Sequence, residues 1–148
     1  MAIATLKTLF ARDLAKLRKE IELYQQEANI WQIEKNILNS GGNLCLHLVG
    51  NLNTYIGKEL GGTDYVRDRP AEFALKNVPR SKLLTMVDET MKVVDATLEK
   101  LKEEDLGNQY PALVFEETTT TEYMLIHLAT HLTYHLGQVN YHRRLIDV

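Results

Sequence analysis

Leu84, Val87, Met91, Val94, Leu98 and Leu101 stand three, four, three, four and three residues apart. Only a helix gathers such a set onto one face, because one turn takes 3.6 residues. Leu6, Leu9, Phe10, Leu14, Leu17, Ile21 and Tyr24 recur at similar intervals with Lys and Glu between them. No stretch alternates apolar and polar residues as a half-buried strand does, and no internal repeat or low-complexity tract is present. The fold class is therefore all-α.

Four helical segments are expected. The first covers about residues 2 to 28. Ser40-Gly-Gly-Asn opens the second, Leu44 to Leu60, whose first charge is Lys58 and whose end is marked by Gly61-Gly62 in the C-capping position. It should be mostly buried. The third runs from Ser81 to Glu104 behind Pro79, with a charged outer face. Thr119-Thr-Thr-Glu122 has the form of a capping box and starts the fourth, which continues to Ile146. The roughly 20 residues from Gly61 to Arg80 are long for an antiparallel turn but suit a crossover. Helices two and three should then be parallel neighbours in a four-helix bundle formed by one domain, residues 1–148. The segment Asn29 to Asn39, with Trp31 and Ile33, is expected to add a short turn before helix two.

Composition narrows the partners. A net charge of -3 and no basic run longer than Arg143-Arg144 argue against nucleic acid and anionic membranes. Small molecules or other proteins fit better. Lys7, Arg12 and Asp13 stand where a signal peptide needs an apolar core, and the single Cys45 cannot form an internal disulfide. A cytoplasmic protein is expected. The least charged long stretch, Tyr123 to His142, carries four histidines, Thr130, Thr133, Gln138 and Asn140, so it reads as a buried helix and not a membrane span.

That stretch also carries chemistry. His127, His131 and His135 lie four residues apart in a run without a charged side chain. Residues four apart on a helix lie one turn above each other, so two imidazoles can converge on one ion. Each step adds about 40° of rotation and about 6 Å of rise, which keeps the outer two from sharing it. The pair is either His127/His131 or His131/His135, and spacing does not decide. The alternative is three neutral core imidazoles bonded to hydroxyls or carbonyls; burying several unpaired imidazoles together is costly, and a shared cation removes that cost. His47, in an otherwise apolar helix, is the candidate third ligand. Three protein ligands would leave a coordination position open. Cys45 lies about 200° around the helix from His47 and reads as core. His142, beside Arg143, reads as a surface or interface residue.

The run His131-x-x-x-His135-x-Gly137-Gln138, with one histidine early in the second helix, resembles the DinB-like superfamily of four-helix proteins. The likeness covers the whole chain. It extends to Asn39-Ser-Gly-Gly-Asn-Leu-Cys-Leu-His47-Leu-Val-Gly-Asn51, Tyr65-Val-Arg-Asp-Arg-Pro-Ala-Glu-Phe73 and His135-Leu-Gly-Gln-Val-Asn-Tyr-His-Arg-Arg-Leu145, which look like a small uncharacterised bacterial subfamily. The resemblance implies metal ligands at His47, His131 and His135, with His127 as a neighbour. It also implies a homodimer and either a thiol-dependent S-transferase, using a low-molecular-weight thiol, or a hydrolase.

Three neutral imidazoles suit zinc, nickel or another first-row divalent ion. No general base stands out on either ligand-bearing helix, which keeps open a non-catalytic bundle that holds a metal or a small ligand in a stress response. Tyr134 and Gln138 are placed to touch a substrate. Arg67, Arg69 and Glu72 lie in the crossover, and if the arginines face the metal they would suit a carboxylate-bearing ligand. Gly137 inside an apolar helix costs about 1 kcal/mol, which close packing of a helix or subunit would explain.

Overall fold

The computed structural model describes residues 1–148. Its helices are α1 (Ala2–Leu23), α2 (Gly41–Leu52), α3 (Arg69–Ala74), α4 (Arg80–Lys100) and α5 (Thr121–Ile146). Short 3-10 turns occupy Glu27–Trp31 and Glu103–Gly107, and a π-helical turn, Asn53–Lys58, prolongs α2. There is no strand; Gln109 and Thr120 form only an isolated bridge.

Local chemistry sets the helix ends. α1 stops short of residue 28 because Tyr24 turns extended, and the Arg80 guanidinium donates to the carbonyl oxygens of Glu22 and Tyr24 at 3.2 and 2.7 Å. A cation on the last free carbonyls is a favourable C-terminal cap. Beyond it the short turn falls at Glu27–Trp31, which buries Trp31 and leaves Ile33 exposed. α2 begins three residues earlier than expected, since Ser40 Oγ accepts from the Asn43 amide at 3.1 Å. All of α2 is buried. Gly62, at φ +69°, closes the second helical segment where the sequence placed its cap.

α4 ends at Lys100, not Glu104, because Leu101 is extended. Asp105 then caps the next turn by accepting from the Lys102 amide at 2.8 Å. Its buried face is also rotated: Val87, Val94 and Leu98 are in the core as expected, but Leu83, Thr90 and Thr97 replace Leu84, Met91 and Leu101, which pack at its edge. Thr90 pays no polar penalty, since its hydroxyl donates to the Met86 carbonyl and accepts from Asn53 Nδ2 at 2.9 Å. The N-cap of α5 is Thr120, one residue after the expected Thr119, with Glu122 in the first turn.

Side-chain bonds fix the helix directions. Lys7 meets Glu99 and Arg18 meets Asp88, so α1 and α4 are antiparallel. Asp13 meets Thr133 and Glu20 meets Asn140, so α1 and α5 are parallel. Asn53 lies against Thr90 and Gly61 against Thr97, so α2 and α4 run together, as the crossover length required. The apolar faces close one core that includes Phe10, Leu17, Leu48, Leu52, Val87, Leu98, Leu128 and Val139. No helix is long and apolar enough to cross a membrane.

Two expectations change. His142 is buried, not at the surface: it bonds the Tyr24 hydroxyl through Nδ1 at 2.6 Å and donates from Nε2 to the Gln32 carbonyl at 2.8 Å. Gly137 has no atom beyond its own turns of α5 within 4 Å of where a Cβ would stand, so packing against another helix of the bundle does not require it. Cys45 is fully buried core, and burial pushes its thiol up to about 12.

Candidate metal centre

The antiparallel pair α2 and α5 brings three histidines together. His47 faces inward from the second turn of α2, and His131 and His135 occupy successive turns of α5. His131 Nε2 stands 3.2 Å from His47 Nε2 and 3.1 Å from His135 Nε2, and one nitrogen from each ring lies within 4.8 Å of the others. A tetrahedral ion with bonds of about 2.0–2.1 Å needs ligand atoms about 3.3 Å apart. The trio can hold a metal ion.

Hydrogen bonding shows which nitrogens are free. His47 Nδ1 donates to Glu72 Oε1 at 3.1 Å, and His135 Nδ1 donates to Gln138 Oε1 at 2.7 Å. In a neutral imidazole, a proton on Nδ1 leaves a lone pair on Nε2. Both flanking rings therefore aim lone pairs at His131. His131 Nδ1 is buried without a partner. A proton on His131 Nε2 would serve only one of its neighbours, whereas a cation would serve all three. The donor set fits a metal ion better than it fits a hydrogen-bonded core.

Glu72 comes from α3, in the crossover, and is buried. Arg67 Nε and Nη2 donate to it at 2.8 and 3.0 Å. Burial pushes the carboxyl upward, but the bonds from His47 and Arg67 outweigh it and leave the pKa below its ordinary value. Asn43 Nδ2 ties this segment to α2 by donating to the carbonyls of Glu72 and Leu75 at 2.9 and 2.8 Å. Gly50 makes the approach possible: a Cβ there would stand 1.9 Å from Glu72 Oε2. Phe73 packs on the His47 ring with centroids 5.0 Å apart.

The other candidates divide. Gln138 orients His135, and exposed Tyr134 lies edge-on to the His135 ring at 5.2 Å. His127 stacks on His131 at 6.1 Å and meets Phe115 edge-on, outside the trio. Arg67 is engaged by Glu72 and lies over Tyr55. Arg69 is exposed and lies over Phe73. Sequence reasoning named Glu72 but not its hydrogen bond to His47, and it missed Asn43 and Phe73. The one signal for the close approach was a glycine, Gly50, nearly one turn beyond His47.

Burial, then the neighbouring imidazoles, lowers His131 to about 4; burial also lowers His135 and His142 from 6.5. Below pH 6.5 the unfolded chain binds protons that the folded chain does not, so stability falls with falling pH. Metal-free protein should therefore lose stability between about pH 6.5 and 4. Urea unfolding at pH 7 and pH 5 checks this, and equal midpoints would contradict it.

The molecule is thus an all-α bundle with a three-histidine cluster between two of its helices. The chain belongs to the family described as "Protein of unknown function (DUF1572)", which matches residues 3–147. It is similar in fold to a conserved protein from Enterococcus faecalis seen in a crystal structure, with 19% identity and a TM-score of 0.73. That likeness covers 97% of this chain and 95% of the other. No curated protein matches the sequence.

Proposed function

We propose that this chain is a metal-dependent enzyme of the DinB-like type, transferring a thiol sulfur to a small electrophilic molecule. The observation that carries the reading is the convergence of three imidazole nitrogens, two of them held in the metal-ready tautomer by Glu72 and Gln138. His47, His131 and His135 would hold zinc or nickel. Such an ion supplies Lewis acidity, which lowers the pKa of a coordinated thiol.

The protein's own groups favour a thiol over water as nucleophile. A hydrolase benefits from a base within reach of its water. Glu72 is committed to His47 and twice to Arg67, and so is not free to accept a proton. A thiol, with an ordinary pKa of about 8.5, needs far less help. In the transfer, sulfur bonds to an electrophilic carbon and the leaving group departs with the electron pair of the broken bond. The thiol proton passes to solvent.

The test uses cobalt(II)-loaded protein with bacillithiol or glutathione, and 1-chloro-2,4-dinitrobenzene as electrophile. Adding thiol should produce sulfur-to-cobalt charge-transfer absorption in the near ultraviolet, and mass spectrometry should find the thioether with chloride released. Cobalt bound with no spectral response to either thiol would overturn the S-transfer reading.

A further inference from the structure

A cavity of about 520 Å³ opens beside His135, between the Asn36–Asn39 loop and the C-terminal half of α5. Its size is that of a small-molecule site. Charged residues make up 25% of the chain, yet none of the eleven that line this cavity is Asp, Glu, Lys or Arg. Its two histidines are already engaged: His142 by Tyr24 and Gln32, and His135 by Gln138 and the centre. In the metal-free protein a charged occupant would lose water without gaining a counter-charge.

Four of the chain's large exposed apolar side chains, Leu38, Tyr134, Tyr141 and Leu145, line this one cavity, each at least 63% exposed. Gathered apolar surface of this kind marks a binding site. Asn36, Asn39 and Gln138 add neutral hydrogen-bonding groups.

We infer that this cavity is the site of an uncharged, mainly apolar small molecule, held with its reactive end beside His135. Its role as the electrophile rests on the S-transfer reading; its existence as a site does not. The charged part of a thiol cofactor would have to lie elsewhere.

The experiment compares two fluorescent probes with the same ring skeleton, neutral N-phenyl-1-naphthylamine and anionic 8-anilino-1-naphthalenesulfonate. Each is titrated into metal-free and zinc-loaded protein. The neutral probe should bind at least tenfold more tightly than the anion. Tyr141→Arg, at an exposed position, should weaken the neutral probe about tenfold and narrow the gap between the two. Leu113→Arg, exposed and outside the cavity, should change neither. Equal binding of both probes, or equal effects of the two variants, would overturn the inference. So would a wild-type dimer that binds no probe and is split by Tyr141→Arg in size exclusion, since a second copy would then cover the cavity. Zinc binding measured on the same samples separates the two readings: loss of probe selectivity with zinc retained sinks the pocket alone, and the reverse sinks the metal centre alone.

Discussion

His131→Ala should abolish stoichiometric divalent metal binding. Elemental mass spectrometry on untagged protein should find about one equivalent in wild type and none in the variant. The expectation follows from position, since His131 Nε2 is the atom within 3.2 Å of both other ligand nitrogens. Four-ligand zinc sites bind with about 10–16 kcal/mol, so each ligand is worth about 2.5–4 kcal/mol, or roughly a hundred- to a thousandfold in affinity, and the two imidazoles left should lose their ion when the protein is desalted. The fold should survive, because the deletion also removes a buried nitrogen that has no partner. Helical circular dichroism of the metal-free variant checks that point. Full metal content in a folded variant would refute the site.

Gly50→Ala should weaken zinc binding by about ten- to a hundredfold while leaving all three ligands in place. In an ordinary helix the change would stabilise by about 1 kcal/mol, since glycine is the poorer helix former. Here the new methyl would stand 1.9 Å from Glu72 Oε2, so the carboxylate must leave. His47 then loses the acceptor that keeps its proton on Nδ1, and Arg67 loses its buried partner. The melting temperature should therefore fall instead of rising. Zinc titration calorimetry and a thermal melt read both effects. Undiminished affinity with a higher melting temperature would mean that Glu72 does not orient the ligand.

The sequence revealed what periodicity and spacing encode. The four long helices and the parallel pairing across the crossover follow from residues three and four apart and from one long connection, whereas spacing left two histidine pairs open and only the family resemblance implied the pair that clusters with His47. Helix ends were less legible because distant groups set them. Nothing near Leu23 signals that Arg80 will cap its turn, and only packing makes Thr90 a better core residue than Met91. His142 was misread for the same reason, since Tyr24 and Gln32 lie more than a hundred residues away. Glu72 looked like one loop charge among several. Its role depends on α3 folding back over α2, and that contact leaves no periodic trace.

The order in which the ribosome delivers these parts has a consequence for the cell. His47 emerges early, but two of the three clustered histidines lie on α5, the last helix of the bundle. Domains begin to fold from the N-terminal side during synthesis, at about 5–20 residues per second. Until α5 docks, α2 lacks one of the walls that bury its apolar surface, and His47 stands alone. An ion held by all three histidines would therefore bind only after α5 has been translated and docked.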